Sequence, residues 1–326
     1  MRSKPVVGRY APSPSGLHHL GNLRSAVLAW VDAQAHGGSC ALRIDDLDQP
    51  RLKAGSEEQI REELAWIGLD FDPMPAGPRQ VGESSAPEHE ACRQLDRRAR
   101  YGAVLDQLIA LRAVYPCSLS GRAFNEALRA PHGDEGDRHR LSRSERDEQW
   151  RLYEQGEQTE WSWRFASSDR PVSYHDETYG QQTTPAHGLD DFVVWRRDGL
   201  PSYQLATVVD DYDLRVRRVV RGADLIESTL RQVSLLRALS WPEPAYRHLS
   251  LVCSAQGERL SKRNQGLAAA SLRAAGVSAQ DLLGWIAQSV IGADVGPIST
   301  PQELLRRIGG LDWPTDPVCV PESMHA

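Results

Sequence analysis

Short apolar runs alternate with helical patterns near the start of the chain. Residues 6–10 form an apolar run that stops before Pro12, and residues 40–44 form a second, so each predicts a buried strand. Apolar side chains at helical spacing predict helices over residues 21–36 and 57–67. Strand, helix, strand, helix is the beginning of a Rossmann-like, doubly wound α/β fold with a parallel sheet.

Further elements are expected around a polar insertion. Residues 70–90 are rich in Pro, Gly and Ser and predict a surface loop, whereas residues 129–148 are strongly polar and predict a mobile insertion. The other expected elements are a helix over 88–114, strands of a small inserted lobe within 161–179, strands at 192–195 and 205–209 that resume the main sheet, a helix over 225–239 and a helical tail from Leu267.

Composition adds little, apart from two local clusters of arginine. The 326 residues include 25% charged residues, 40% hydrophobic residues and five scattered cysteines without a CxxC pair, which favours a globular protein of a reducing cytoplasm. No apolar run or leader predicts a membrane helix or a signal peptide. The net charge of −6 does not indicate a nucleic-acid binder. The arginine clusters leave RNA contact and a solvated surface equally open; they are Arg93, Arg97, Arg98, Arg100 and Arg112, and Arg215, Arg217, Arg218 and Arg221.

Two distant motifs suggest a nucleotide site. After the tight turn of residues 11–16, residues 19–22 (HLGN) open a helix whose N-terminus suits polyphosphate. Far downstream, residues 259–263 (RLSKR) offer a lysine that can close over pyrophosphate. Taken singly, a capping turn and a solvated basic loop are the favoured explanations of these motifs. Taken together, they suggest two halves of one ATP site that activates a carboxylate on its α-phosphate.

Six ordered segments resemble the glutamyl and glutaminyl branch of the class I aminoacyl-tRNA synthetases. Residues 19–22 stand where that class has its HIGH motif, and residues 259–263 where it has KMSKS. Sequences typical of this branch also occur at residues 42–51, 191–206, 208–211 and 220–225. The resemblance spans residues 5–265. It implies the class I catalytic core, with ATP and Mg²⁺ as a substrate complex.

Within this branch the chain is most similar to the subfamily of glutamyl-queuosine tRNA(Asp) synthetases. Residues 46–51 (DLDQPR) resemble the sequence of that subfamily more closely than they resemble the Asp-Thr-Asp form that is usual in the branch. Only about 60 residues follow Arg263, so we expect no anticodon-binding domain. The resemblance implies activation of L-glutamate without tRNA, then transfer to queuosine in the anticodon loop of tRNA(Asp). We expect a cytoplasmic monomer that has no membrane partner.

On this interpretation the chain has four segments. They are the first half of the catalytic domain (1–100), an inserted lobe (101–190), the second half of the catalytic domain (191–245), and the KMSKS-like loop with a C-terminal helical region (246–326).

The resemblance also implies site residues. His19 and Lys262 are expected to be catalytic. ATP contacts are expected from Pro12, His19, Gly21, Asn22, Ser261 and Lys262. Glutamate contacts are expected from Arg9, Tyr10, Ala11, Pro12, Ser13, Asp45, Tyr203 and Arg221. Arginines suit the two carboxylates of glutamate and an acid suits its ammonium. Asp210 and Asp211 are expected to shape the site, and Arg217 and Arg218 to be solvated.

The zinc site of the subfamily is degenerate in this sequence. Cys117 remains, but Leu119 stands at the position of the second cysteine, and His139 stands where a cysteine is expected. We expect the zinc site to be lost. Zinc held by Cys117 with His132 or His139 is the alternative.

Other functions stay open at this point. A short glutamyl-tRNA synthetase would charge the tRNA 3′ end, and a ligase of another class would transfer glutamate to a small molecule or a protein. An inactive binding module is disfavoured by the intact His19, Gly21 and Lys262.

Overall fold

The computed structural model describes residues 6–71, 92–119, 140–156, 160–185, 188–254, 257 and 267–321. The helices in these ranges are α1 (Leu20–Ala35), α2 (Ser56–Ile67), α3 (Arg98–Ala110), α4 (Arg143–Glu154), α5 (Tyr203–Asp213), α6 (Ile226–Ala238), α7 (Ala269–Ala274), α8 (Ala279–Ile291) and α9 (Pro301–Ile308). The strands are β1 (Val6–Tyr10), β2 (Ser39–Ile44), β3 (Cys92–Arg93), β4 (Val114–Cys117), β5 (Ser162–Phe165), β6 (Ser173–Asp176), β7 (Gly180–Thr183), β8 (Phe192–Trp195), β9 (Arg218–Gly222), β10 (Ala245–Leu249), β11 (Val252–Cys253) and β12 (Val318–Cys319). Among the described helices, none has the length and apolar character needed to cross a membrane.

Parallel strand pairs form the scaffold of the molecule. β1 pairs with β2 and β2 with β3, while β9 pairs with β10 and β10 with β6, all in parallel. β9 also lies beside β1, where Arg9 Nη1 donates to the carbonyl of Val220 at 3.3 Å. This arrangement confirms the predicted α/β fold class. It also matters for the site, because open α/β sheets bind ligands at the carboxyl ends of their strands.

Helix α1 runs through the main core. Its Leu23, Val27, Leu28 and Val31 are completely buried, and it packs against β1, β2 and β9. A helix that is apolar around most of its circumference needs neighbours on several sides, which the sheet and α9 supply. The predicted helices at 21–36, 57–67 and 225–239, and the helical tail, are confirmed in this way.

A second, antiparallel sheet has the strand order β4–β5–β8. The prediction that residues 192–195 resume the main sheet is wrong, because β8 pairs with β5 in this smaller sheet. Conversely, β6 belongs to the main sheet through its parallel pairing with β10, although it was expected in the inserted lobe. The division into four segments stays a prediction.

Two further elements differ from expectation. Residues 205–209 are part of helix α5 rather than a strand, and Ser202 caps that helix by accepting from the N–H of Leu205. Their apolar sequence suited either structure, and burial on the helix decided between them. The helix predicted over 88–114 begins only at Arg98, because Cys92–Arg93 pairs with β2 as a strand.

Residues 129–148 were predicted to be a mobile insertion that is folded only where it packs on the body of the protein. Its end is helical, because α4 begins at Arg143 behind a capping box between Ser142 and Glu145. A capping box stabilises the first turn even where apolar periodicity is weak. Residues 129–139 and 72–91 lie outside the described residues.

Candidate active site

Buried charged side chains gather at the carboxyl ends of β1, β2 and β9. Arg9 lies one residue before the end of β1, Asp45 directly follows β2, and Arg221 lies one residue before the end of β9. Their exposed fractions are 3%, 8% and 6%, respectively. Contacts and electrostatic coupling through Asp211 of α5 join them into one cluster. Three of the predicted glutamate-binding residues are therefore close together.

Arg9 is held by a carboxylate and by the backbone of β9. Its Nε donates to Asp211 Oδ1 at 3.1 Å, and its Nη1 donates to the carbonyl of Val220. Burial alone would raise the pKa of Asp211, but the positive charges of Arg9, Arg43 and Arg221 lower it below its ordinary value. Asp211 is therefore ionised at neutral pH and fixes the position of Arg9 in the pocket.

Arg43 is a member of this cluster that the sequence analysis did not assign to the site. It is completely buried in β2. Its Nε and Nη2 donate to the two oxygens of Asp45 at 2.6 and 3.1 Å, and its Nη1 donates to Asp211 at 2.7 Å. The sequence did contain a signal for this role, because Arg43 lies between Leu42 and Ile44 in a predicted buried strand. A buried charge needs a partner of opposite charge.

Asp210, the neighbour of Asp211, is fully used in structural contacts. It is completely buried and accepts from Gln94 Nε2 at 2.8 Å, from Arg97 Nε at 2.7 Å and from the hydroxyl of Tyr101 at 2.9 Å. It also lies 3.6 Å from Arg43. These contacts give Asp210 and Asp211 the shaping role that was expected of them.

Arg221 is surrounded by neutral groups. Its Nη2 donates to Thr229 Oγ1 and to Gln232 Oε1, both at 2.7 Å, and its Nε donates to His248 Nε2 at 3.3 Å. Its Nη1 donates to the hydroxyl oxygen of Tyr203 at 3.1 Å. Among the described residues, no carboxylate lies within the 4.0 Å ion-pair distance of this guanidinium.

These contacts leave two donors available to a ligand. A guanidinium has five N–H groups, and the contacts of Arg221 use four of them. The second N–H of Nη1 is left, and so is the O–H of Tyr203, whose oxygen already accepts from Arg221. Tyr203 is 38% exposed, so the pair borders the solvent. A carboxylate can accept from both donors at once.

The turn after β1 is fixed to the end of β2. The N–H of Asp45 donates to the carbonyl of Pro12 at 3.0 Å, so this backbone contact places the acid beside the turn. Ser13 is exposed, and Ala11 is partly exposed. The ring of Tyr10 instead packs in the core, 6.1 Å from the rings of both His18 and Phe71. The expected contacts of these residues with substrate stay predictions.

His19 is the residue that precedes α1. Its N–H donates to the side-chain oxygen of Asn22 at 3.1 Å. A Cβ atom on Gly21 would lie 3.0 Å from Cε1 and 3.1 Å from Nδ1 of the His19 ring, so this ring needs glycine beneath it. The first turn of α1 contains no acidic residue. Its unpaired N–H groups therefore present positive potential to an anion.

Both ends of the segment that carries the second motif lie at this helix N-terminus. Before the segment, Val252 Cβ lies 3.6 Å from the position of a Cβ on Gly21. After it, Ala268 forms a β-bridge with His19, and the N–H of Ala269 donates to the carbonyl of His18 at 2.9 Å. Residues 258–266, including Ser261 and Lys262, lie outside the described residues.

The two arginine clusters have mixed roles. Arg97 and Arg100 form ion pairs with Asp213, at 2.6 and 2.8 Å, so their charges are largely neutralised within the protein. Arg217 is exposed, as expected. The expectation that Arg218 is solvated is wrong, because it is buried and binds Asp32 at 2.6 Å.

Cys117 lies in the small sheet, buried with Tyr115 and Leu141. The part of the chain that the structure describes contains no group of three or more His, Cys, Asp or Glu placed to hold a metal. His132 and His139 lie outside the described residues, so loss of the zinc site stays a prediction. Mg²⁺ that arrives with ATP is bound largely by phosphates and water.

Comparison with known proteins identifies the family. The model "tRNA synthetases class I (E and Q), catalytic domain" matches residues 5–295. The Glutamyl-Q tRNA(Asp) synthetase of Symbiobacterium thermophilum is 39% identical over 97% of this chain and 96% of its own. That of Nitratidesulfovibrio vulgaris is 36% identical with the same coverage. A Glutamate–tRNA ligase of Paraburkholderia phytofirmans is 35% identical over 86% of this chain and 56% of its own.

A solved structure shows the same fold. The crystal structure of a glutamate tRNA ligase from Elizabethkingia meningosepticum, in complex with its amino acid, superposes with a TM-score of 0.76. It is 27% identical and covers 96% of this chain and 67% of its own. The chain is therefore a ligase that belongs to the class I tRNA synthetases for glutamate and glutamine, whose catalytic domain it carries.

Proposed function

We propose that this enzyme uses ATP to activate L-glutamate as glutamyl-adenylate without tRNA, and then transfers glutamate to queuosine in the anticodon loop of tRNA(Asp). The observation that carries the first step is the buried guanidinium of Arg221, which forms no direct ion pair with a carboxylate of the described residues. The second step is supported by the relatives named Glutamyl-Q tRNA(Asp) synthetase, which match the chain over nearly the full length of both. We also propose that the enzyme works in the cytoplasm.

The charges of the site suit glutamate in one orientation. The side-chain carboxylate accepts from Arg221 Nη1 and from the Tyr203 hydroxyl, which gives the guanidinium a directly paired anion. The ammonium lies toward Asp45, and Arg9 faces the α-carboxylate. Glutamine would place an NH₂ group against two donors, and this mismatch disfavours it.

Activation is an in-line displacement at the α-phosphorus of ATP. An oxygen of the α-carboxylate forms the new bond to phosphorus, and the bond to the bridging oxygen of pyrophosphate breaks with its electron pair on pyrophosphate. The N–H groups at the start of α1 and the His19 ring stabilise the phosphate charge, and Lys262 closes over the leaving pyrophosphate. Glutamyl-adenylate stays in the pocket until a hydroxyl oxygen of queuosine attacks its α-carbonyl carbon. The new ester bond forms as the bond from that carbon to the phosphate oxygen breaks, AMP leaves with the electron pair, and the hydroxyl proton passes to solvent.

ATP–pyrophosphate exchange tests the first step. We expect exchange with L-glutamate in the absence of RNA, and none above background with glutamine or aspartate. Exchange that requires tRNA(Glu) would instead support an ordinary glutamyl-tRNA synthetase. Exchange with glutamine but not glutamate would contradict the assignment of Arg221.

The transfer product tests the second step. Radiolabelled glutamate should become attached to queuosine-containing tRNA(Asp), and equally to the same tRNA from which the 3′-terminal adenosine has been removed beforehand with an exonuclease. The same tRNA(Asp) with guanine in place of queuine is the matched control and should stay unlabelled. Label that is lost with the terminal adenosine would identify charging at the 3′ end.

The role of Lys262 can be separated from folding. We expect Lys262→Ala to slow exchange by more than about tenfold, because the pyrophosphate charge loses its partner. Arg273→Ala removes a positive charge from α7, where Arg273 lies over the ring of Trp66, and should change exchange less than about twofold. Near-normal exchange by Lys262→Ala would exclude this lysine from the mechanism.

A further inference from the structure

Three side chains lie in a row across three neighbouring parallel strands. Asp176 ends β6, His248 lies on β10, and Arg221 lies on β9 as the register partner of His248. His248 Nδ1 is 2.6 Å from Asp176 Oδ2, and Arg221 Nε is 3.3 Å from His248 Nε2. Asp176 and His248 are both completely buried. The row therefore joins a buried carboxylate to the arginine of the proposed glutamate site.

The contacts define the tautomer of His248. An arginine Nε–H can only donate, so His248 Nε2 must accept. The proton of the neutral imidazole is then on Nδ1 and is donated to Asp176. Asp176 is itself held by the backbone N–H groups of Thr178 and Tyr179, at 3.0 and 2.9 Å.

We propose that Asp176 and His248 are positioning residues for Arg221 in glutamate binding. Asp176 keeps the imidazole proton on Nδ1, and the unprotonated Nε2 accepts from Arg221 Nε and so orients the guanidinium with Nη1 facing Tyr203. This inference rests on the proposed function and identifies what orients its amino-acid site. A neutral imidazole is suited to this task because it fixes Arg221 without cancelling the charge that the substrate carboxylate needs. A carboxylate in the same place would compete with the substrate.

The surroundings of His248 keep it neutral. Burial is the main cause that lowers its pKa below the ordinary 6.5, the hydrogen bond to Asp176 opposes this, and the charge of Arg221 lowers the pKa further. The other groups that face it are Thr229 Oγ1 of α6, at 3.1 Å, and the rings of Tyr174 and Tyr246, each 6.3 Å away. Arg9 acts on it electrostatically and also lowers the pKa.

Protonation of His248 would disrupt the row. Nε2 would become a donor that faces Arg221 Nε–H, and two positive charges would be adjacent. Because the pKa is lowered, glutamate binding should be intact above pH 6.5 and should be lost only as the pH falls through the pKa of the folded protein. The KM for glutamate should rise in that range, while the KM for ATP should change little.

Asp176→Asn gives the sharpest test. Its side-chain oxygen can still accept from Thr178 and Tyr179, but its NH₂ group faces His248 Nδ1 and shifts the imidazole proton to Nε2, against Arg221. In ATP–pyrophosphate exchange we expect the KM for glutamate to rise at least about tenfold, with kcat and the KM for ATP within about twofold of wild type. A wild-type KM for glutamate would overturn the inference. So would equal losses for glutamate and ATP, which would indicate a purely structural role.

His248→Gln keeps the inference testable if Asp176→Asn does not fold. Its amide oxygen can accept from Arg221 near the position of Nε2, and it does not titrate. We expect most of the glutamate affinity to be retained, with the rise in KM below pH 6.5 abolished, whereas His248→Leu should lose affinity at every pH. An unchanged pH profile in His248→Gln would overturn the inference. Absence of glutamate-dependent exchange in the wild type would instead refute the proposed function.

Discussion

Arg43 and Arg221 are both buried at the carboxyl ends of strands, yet their partners differ in charge. Arg43 contacts the carboxylates of Asp45 and Asp211 at 2.6 and 2.7 Å. Arg221 donates only to neutral acceptors among the described residues. The comparison suggests that the charge of Arg43 serves the fold, because it joins β2 to α5. The charge of Arg221 is left for the ligand.

The free-energy cost of burying the arginine also differs between the two arrangements. A buried ion pair is strongly destabilised when one partner is removed, because the other charge stays behind uncompensated. A buried cation without a carboxylate carries its desolvation cost even in the intact protein, and a bound anion relieves that cost. Replacing each arginine should therefore affect different properties.

The largest effect should follow Arg43→Met, which keeps much of the side-chain volume. Asp45 and Asp211 would be left buried with reduced compensation, so the free energy of unfolding should fall by about 3–5 kcal/mol. Their pKa values would rise in the variant, so protonation at lower pH should restore part of the lost stability. Denaturant unfolding at pH 7 and pH 5 measures both effects. A loss below about 1 kcal/mol at pH 7 would contradict a structural role for this charge.

Arg221→Met should reduce activity much more than it reduces stability. We expect kcat/KM for glutamate in exchange to fall at least about 100-fold, or about 2.7 kcal/mol, because the side-chain carboxylate loses its charged partner. The free energy of unfolding should fall less than in Arg43→Met, since neutral acceptors rather than directly paired carboxylates lose their donor. Arg221→Lys should not restore activity, because an ammonium cannot serve the separate acceptors that the planar guanidinium serves. Comparable stability losses in Arg43→Met and Arg221→Met would remove the distinction between them.

The smallest effect should follow Tyr203→Phe. It removes one of the two donors proposed for the carboxylate, which should raise the KM for glutamate about three- to tenfold, in line with roughly 1 kcal/mol for a hydrogen bond. The melting temperature should be unchanged, because the side chain is 38% exposed. Exposed Tyr212 on the same helix is the matched control, and Tyr212→Phe should leave the KM unchanged.

The parts of the fold with strong local signals were predicted from the sequence. β1, α1, β2 and α2 have clear apolar periodicity and were predicted within about two residues. The apolar residues 205–209 fit a helix and a strand equally well, so only tertiary packing selects α5. The short strand β3 is defined by its pairing with β2, which no local pattern reveals.

Some members of the buried charged cluster were named from motifs, whereas the roles of others depend on contacts with residues far away in the sequence. Arg9, Asp45 and Arg221 came from the family motifs and lie in one cluster. Arg43 was overlooked because its role depends on Asp211, which is 168 residues away. Arg218 was expected in solvent because its partner Asp32 is 186 residues away. The role of His248 likewise depends on two other strands.

A crystal structure of the enzyme soaked with L-glutamate tests the central claim most directly. We expect the side-chain carboxylate to accept from Arg221 Nη1 and the Tyr203 hydroxyl, with the ion pairs of Arg43 unchanged. A glutamate carboxylate bound to Arg43 in place of Asp45 or Asp211, with Arg221 left without an anionic partner, would contradict the account.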